Sequence, residues 1–154
     1  MLFSNKSLSK NRTRSEDAMT YPYKDHHQKT ILDSINEGVF TVDLGWRITS
    51  FNRAAEVITR VQREEAVGRL CSEVFRTNIC QGACALNQTL ATGRPTVNRT
   101  ARILTGSGLQ VPIRISTALL KDDRGAVVGG VETFQDLSQI EQLRKELESR
   151  YTCE

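Results

Sequence analysis

The sequence predicts an α+β domain with two short strands, a run of short helices and three longer strands, in that order. Residues 38–52 hold two brief runs rich in Val, Phe, Thr and Ile. Helical patterns follow over residues 52–92, and residues 96–136 alternate apolar with polar side chains. A period of two is typical of a strand, because its successive side chains point to opposite faces. We therefore expect five strands.

Size and composition agree with a single domain. The chain has 154 residues, of which 38% are hydrophobic and 25% charged, values typical of a globular protein. That length suffices for one well-cored domain with tails. We place a flexible basic tail at residues 1–25, the domain at residues 26–137 and an amphipathic helix at residues 138–154.

Several classes of protein are disfavoured by what the sequence lacks. No apolar run approaches the roughly 20 residues of a membrane-spanning helix, and the N-terminus has no apolar signal-peptide segment. The net charge of +3 comes without a helix-turn-helix pattern or zinc-finger spacing, so we expect no nucleic-acid binding. There is no phosphate-binding glycine loop, which disfavours a nucleotide-hydrolysing enzyme. A cysteine hydrolase is disfavoured as well, because it would need a histidine within the domain and both histidines precede the predicted strands. We expect a cytoplasmic protein that is not an enzyme.

A helix and a β-hairpin are predicted at the beginning of the domain. Ile31, Leu32 and Ile35 share one face of a short helix. Two strands then flank residues 43–47, whose Asp and Gly suit a tight reversal. Asn52 follows the second strand, where its side-chain oxygen can cap the free amides of the next helix.

Short helices and a three-stranded meander complete the domain. Helices are predicted at residues 63–70 and at about residues 83–92. The three strands that follow are joined by hairpin turns at residues 105–108 and 121–125. Pro112 has no amide to donate, so its strand lies at an edge there or the missing amide faces away from the ladder.

The C-terminal helix, residues 138–154, is predicted to be amphipathic. Its apolar side chains advance by threes and fours between polar ones, a spacing typical of a coiled coil. Such a stripe is buried either against a second copy of the chain or against the domain's own sheet. We expect a parallel homodimer with Ile140, Leu143 and Leu147 at its interface.

The first half of the domain resembles the PAS family of sensory domains. ILDSINEGVFTVDLGWRITSFNRAAEVITR is similar to the family's opening helix, first hairpin and following helix. Gly38, Asp43, Asn52 and Ala55 stand at matching positions. Further on, GGVETFQDLSQIEQL is similar to the family's last strand and the junction beyond it. The resemblance covers about residues 27–150.

The PAS resemblance carries expectations for both fold and function. It implies a PAS fold, with a five-stranded antiparallel sheet and helices over one face. It also implies a sensor, often dimeric, in which Asp136 and Ser138 couple the sheet to the output helix. The signal would be redox state, oxygen or a small molecule.

A closer resemblance concerns the cysteine-containing segment. Residues 71–95, together with the terminal LRKELESRYTCE, look like the PAS modules that precede the AAA+ ATPase domain in bacterial sigma-54-dependent transcriptional activators. Residues 151–154 resemble the entry to that ATPase domain. This resemblance implies the sensory part of a transcription regulator whose ATPase output domain follows Glu154. Related PAS modules feed histidine kinases, which is the alternative, although no phosphoacceptor histidine motif follows Tyr151.

Three cysteines form the most unusual local pattern, C-x8-C-x3-C at Cys71, Cys80 and Cys84. Thiolates bind iron–sulfur clusters and zinc, and Gly82 lets the chain curl so that two sulfurs face one centre. Cys84 is expected at a helix N-terminus, where amides lower a thiol's pKa. Four thiolates complete such a site, so Cys153 is the candidate fourth ligand. We favour an iron–sulfur cluster because a sensor needs a state that changes, whereas zinc has no redox chemistry.

Other interpretations of the cysteines and of the domain interior stay open. Each cysteine can be a small buried apolar residue of a ligand-free dimerisation module, and a zinc-stapled structural domain is a third possibility. Haem and flavin are disfavoured, because both histidines precede the predicted strands and the cysteine motif of flavin photosensors is not reproduced. An organic ligand between helices and sheet would contact residues that core packing explains equally well: Phe40, Ile48, Phe75 and Ile115.

Overall fold

The computed structural model describes residues 22–152, with side chains from residue 26 onward. Residues 1–21 of the predicted tail, together with Cys153 and Glu154, lie outside the described residues. The tail prediction extends over residues 22–25, which are helical in the structure. The helix begins at Pro22, and proline suits the first position because the amide of that residue makes no hydrogen bond within the helix.

Six helices and six strands are found within the described residues. The helices are α1 (Pro22–Ser34), α2 (Arg53–Thr59), α3 (Arg63–Ala66), α4 (Cys71–Val74), α5 (Ala85–Thr92) and α6 (Ser138–Tyr151). The strands are β1 (Gly38–Asp43), β2 (Ile48–Phe51), β3 (Arg76–Thr77), β4 (Thr96–Leu104), β5 (Gln110–Lys121) and β6 (Val127–Asp136). No helix in this part of the chain is both long and apolar enough to cross a bilayer.

The six strands form one antiparallel sheet in the order β2-β1-β6-β5-β4-β3. The predicted hairpin and meander are both present, and β1 joins them by pairing with β6. The predicted number of five strands is wrong, because Arg76 and Thr77 pair with Leu104 and Ile103 as a sixth strand. Two residues are too few to show a period of two, so only the tertiary pairing reveals β3.

The hydrophobic core lies between the inner face of the sheet and the short helices. Phe40 of β1, Phe75 after α4 and Phe134 of β6 are buried at its centre, with ring centroids 4.7 to 6.1 Å apart. Ile48 and Ile115 belong to the same cluster. The residues named as a possible ligand lining are therefore core residues. Each such buried side chain contributes about 1.5–3 kcal/mol to stability.

The Asn52 side chain joins three elements at one buried position. Its Oδ1 accepts hydrogen bonds from the amides of Ala55 (2.9 Å) and Val39 (2.8 Å). Its Nδ2 donates to the carbonyls of Leu32 (2.9 Å) and Glu37 (3.0 Å). The predicted cap of α2 is confirmed, and the same side chain also connects β1 with α1 and the loop after it.

Pro112 lies on β5, an interior strand, with its missing amide directed away from β4. Its partner on β4 is Arg102, whose amide and carbonyl instead bond to Asn78 at 2.9 and 3.1 Å. The Pro112 carbonyl accepts from the amide of Leu137, just beyond the end of β6 (2.8 Å). The second of the two predicted explanations is therefore correct, since no ladder bond is lost at this proline.

The start of α6 is tied to the end of the sheet by two short hydrogen bonds from backbone amides. The amide of Leu137 donates to Pro112, as described above, and the amide of Ser138 donates to Oδ1 of Asp136 at 2.8 Å. Asp136 is the last residue of β6 and Ser138 the first of α6. The turn between strand and helix is thereby held by a local Asx-type contact.

After its first turn, which includes Glu141, α6 has little contact with the rest of the domain. Its Glu141 forms an ion pair with Arg102 of β4 at 3.1 Å. No side chain of α6 is buried, and the apolar residues Ile140, Leu143 and Leu147 are 51%, 60% and 54% exposed. The alternative that this stripe is covered by the domain's own sheet is not what the structure shows.

Candidate functional site

The three cysteines of the C-x8-C-x3-C pattern line one cleft of about 290 Å³. Each comes from a different local element: Cys71 is the first residue of α4, Cys80 lies in the turn after β3, and Cys84 caps α5. All three are free thiols. We call this space the cysteine cleft; its lining is Trp46, Cys71, Ser72, Cys80, Cys84 and Asn87.

Trp46 reaches the cleft from the turn between β1 and β2. Its backbone is left-handed, with φ of 65°, a conformation that is costly for a large side chain. The turn holds it there, because Oδ1 of Asp43 accepts from the amides of Gly45 (2.8 Å) and Arg47 (3.0 Å). The Trp46 carbonyl accepts from the amide of Cys71 at 2.8 Å, which attaches the hairpin to the start of α4. Trp46 was not among the predicted site residues, and a tryptophan in a tight turn is the signal that could have indicated it.

The Cys80 sulfur lies against β3. It accepts a hydrogen bond from the amide of Thr77 (3.4 Å), and the two side chains share a second one between Sγ and Oγ1 (3.1 Å). The Phe75 carbonyl is 3.5 Å from the same sulfur and accepts its proton. The thiol is thus positioned by the strand that the sequence did not predict.

Burial controls the protonation of the other two cysteines. Burial raises the pKa of Cys71 well above its usual range, and the nearby Glu132 and the other two cysteines raise it further. Burial also raises the pKa of Cys84, an effect larger than the lowering by the amides of Asn87 and Leu86. The expected lowering at the start of α5 is therefore present but outweighed. Both groups are neutral thiols near neutral pH.

Glu132 is a functional candidate that the sequence analysis missed. It lies on the inner face of β6 and is 4% exposed, and its Oε1 has no hydrogen-bond partner among the described residues. Burial raises the pKa of Glu132 to about 8, so the carboxyl is mostly protonated at neutral pH. The available signal was its position in the strand: Glu132 is two residues from both Gly130 and Phe134, so all three lie on the face that is buried in the core.

The predicted metal site is only partly assembled. Within residues 22–152, no three His, Cys, Asp or Glu side chains stand in an arrangement that binds a metal. Cys71, Cys80 and Cys84 share the cleft, whereas the fourth predicted ligand, Cys153, lies outside the described residues. The iron–sulfur cluster and its zinc alternative stay predictions.

A family model described as "PAS domain" matches residues 36–139, from the loop before β1 to the first turn of α6. The match includes the hairpin, the cysteine cleft and the meander. The chain belongs to the PAS domain family. The family predicted from the opening helix, the first hairpin and the last strand is thereby confirmed.

Among proteins of known role, this PAS domain is similar to the signal transduction histidine-protein kinase AtoS of Escherichia coli. The two are 29% identical over 120 residues, which cover 78% of this chain and 19% of the kinase. The chain thus spans about a fifth of the length of this relative. The match places this chain's similarity in a protein named as a signal transduction histidine-protein kinase.

Solved structures share the fold of this PAS domain at low sequence identity. A PAS domain from Colwellia psychrerythraea superposes with a TM-score of 0.65 at 14% identity, covering 75% of this chain and 98% of that one. The PAS domain of nitrogen regulation protein NR(II) from Vibrio parahaemolyticus gives 0.58 at 15% identity, covering 71% and 96%. At these identities the likeness shows the fold alone.

The two predicted output features of the PAS domain have clear positions. Asp136 and Ser138 are in direct hydrogen-bond contact at the junction of sheet and helix. Ile140, Leu143 and Leu147 form an exposed stripe on α6. Signal transmission by the first pair and dimerisation by the second set stay predictions.

Proposed function

We propose that this PAS domain is the signal-input module of a longer signalling protein, with the cysteine cleft as its sensory site and α6 as its output. The observation that carries the proposal is the convergence of Cys71, Cys80 and Cys84 on one open cleft. Three thiols from separate elements give the domain a site at which a soft metal, a cluster or a thiol-directed compound can act. A cytoplasmic location is part of the proposal, because free thiols persist in a reducing compartment.

The output partner that the comparisons support is a histidine kinase. The relative AtoS is a histidine-protein kinase in which the matching segment is a small part of the whole. The sigma-54-dependent activator, with an AAA+ domain after Glu154, rests on the resemblance of residues 71–95 and 151–154 only. Incubating the full-length protein with γ-labelled ATP separates the two: a kinase retains the label on a histidine, whereas an AAA+ ATPase releases labelled phosphate.

The signal proposed for the cleft is redox state or oxygen, read by a cysteine-ligated iron–sulfur cluster. Cys71, Cys80 and Cys84 would hold the cluster, with Cys153 as the fourth thiolate. When bound, such a cluster supplies a reversible one-electron change. The chain's own part is to bring the three cysteines and Trp46 to the lining of one cleft.

Anaerobic purification followed by reconstitution with iron and sulfide tests the cluster. We expect broad visible absorption and stoichiometric iron, both lost in Cys71→Ser, Cys80→Ser and Cys84→Ser. Ser72→Ala is the matched control, because Ser72 lines the same cleft without a thiol. Cys153→Ser shows whether the fourth ligand is correctly assigned. Colourless, iron-free wild-type protein would rule out the cluster.

A ligand-free dimerisation module is the second candidate function. Cys71 is a member of the hydrophobic core cluster and Cys84 packs against it, as expected for small apolar core residues. In that case the cysteines contribute only packing, and iron, zinc and thiol reagents leave the state of α6 unchanged. Stoichiometric zinc without a redox response would instead indicate a zinc-stapled domain.

A further inference from the structure

The short strand β3 lies between the Cys80 sulfur and strand β4. On the cleft side, Thr77 makes two contacts to the Cys80 sulfur, at 3.1 and 3.4 Å. On the other side, Thr77 pairs with Ile103 of β4. A change at the sulfur that removes or enlarges it therefore acts first on a strand of two residues. Such a strand has little pairing of its own to resist displacement.

Asn78 fastens the end of β3 to a single residue of β4. Its amide donates to the Arg102 carbonyl at 3.1 Å, and its Oδ1 accepts from the Arg102 amide at 2.9 Å. Both backbone groups of Arg102 are thus bonded to Asn78. Movement of β3 is passed directly to the backbone that carries the Arg102 side chain.

Arg102 is also the β4 residue that holds α6. Its guanidinium donates to Oε1 of Glu141 at 3.1 Å. Two further hydrogen bonds tie the start of α6 to the sheet, from the Leu137 amide to the Pro112 carbonyl and from the Ser138 amide to Oδ1 of Asp136, and none of the described α6 side chains is buried. These two bonds fix where the helix begins, whereas Glu141 lies three residues beyond Ser138 and its ion pair bears on the direction of the helix. Both partners are partly exposed, so the pair is weak enough to open.

We infer that β3 and Asn78 couple the Cys80 sulfur to the orientation of α6 through the Arg102–Glu141 ion pair. The inference rests on the proposed function in one respect, namely that Cys80 belongs to the sensory cleft. It adds a route that does not pass along β6 to Asp136. Arg102 is a positioning residue in this route, since it acts on α6 and not on anything bound in the cleft.

A double-mutant cycle read by nuclear magnetic resonance tests the coupling. Residual dipolar couplings of amides in α6, measured against those of the sheet, report the orientation and order of the helix. We expect Cys80→Ala and Arg102→Gln each to change the α6 couplings in the same direction, and the double variant to add little to either. The sheet couplings report in the same spectra that each variant is folded.

An ion pair within α6 provides the control for this cycle. Arg144→Gln removes a neighbouring ion pair that lies entirely within α6, Arg144 with Glu148 at 2.9 Å; in that background Cys80→Ala should keep its full effect. The route would be overturned if the effects of Cys80→Ala and Arg102→Gln on the α6 couplings were additive, or if Cys80→Ala left these couplings unchanged. Neither result bears on whether the cleft binds iron, so failure of the coupling and failure of the proposed function are distinguishable.

Discussion

Glu132 of β6 lies directly opposite Thr117 of β5, with both side chains buried on the inner face of the sheet. Thr117 is satisfied there, because its hydroxyl shares a 2.6 Å hydrogen bond with that of Thr89 on α5. Glu132 is not, since its Oε1 has no partner among the described residues. A carboxyl in this position is tolerated as the neutral acid and is costly as the anion.

The stability of the domain is therefore expected to fall as the pH rises from about 5 to about 8. The pKa of Glu132 is raised from an ordinary 4.5 to about 8 in the folded state, so the native protein holds the proton more tightly than the unfolded chain does. The resulting stabilisation is complete below the unfolded pKa and is lost as the pH passes the folded one. Its size is a few kcal/mol.

Urea denaturation across that pH range checks the Glu132 prediction. The Glu132→Gln variant should show a much flatter pH profile and should match or exceed the wild type at the upper end. Glu64→Gln, an exposed glutamate of α3, should leave the wild-type slope unchanged. Equal slopes in wild type and Glu132→Gln would contradict the assignment.

Replacing Asn52 is expected to destabilise the domain strongly. Asn52→Ala removes four hydrogen bonds and leaves the amide of Val39 without its side-chain acceptor. We expect a loss of about 2–4 kcal/mol in the free energy of unfolding. Asn52→Ser keeps a hydroxyl that can accept from the first amides of α2 and loses the two donors, so its cost should be smaller. Denaturant unfolding measures both, with the exposed Asn87→Ala as control; equal losses for the two Asn52 variants would argue against this division of roles.

The exposed stripe on α6 predicts a homodimer. Light scattering coupled to size exclusion should give twice the chain mass of 17.3 kDa for the wild type. Leu143→Arg should shift the protein to the monomer, because a charge at the centre of an apolar helix interface is poorly tolerated. Lys145→Glu, which alters charge on the same helix without touching an apolar residue, should remain dimeric. A wild-type protein that stays monomeric at high concentration would show that the stripe has another partner.

The three cleft thiols are expected to react at different rates. Cys71 is buried, and burial and neighbouring acids raise its pKa, so little of the reactive thiolate is available. A short pulse of iodoacetamide followed by peptide mapping should label Cys71 at least about tenfold more slowly than the more exposed Cys80. In denaturant the difference should disappear. Equal native rates would mean that the cleft opens freely on the timescale of labelling.

Local patterns were sufficient for the elements whose residues carry their own signal. The period of two predicted β4, β5 and β6, and the three-and-four spacing predicted α6, since each pattern follows from the geometry of one element. The cap at Asn52 was predictable for the same reason. β3 was missed because its existence depends on a partner strand and not on its own two residues.

For the candidate site, too, some features follow from the sequence and others only from the tertiary structure. The sequence by itself determined the PAS family, the order of elements and the C-x8-C-x3-C pattern, because these depend on residue type and spacing along the chain. Only the tertiary structure decided that Trp46 lines the cleft with the cysteines, that burial raises the pKa of Cys84, and that Glu132 is buried without a partner for Oε1 among the described residues. Burial and distance depend on segments far apart in the chain, which meet only when the sheet closes between β1 and β6.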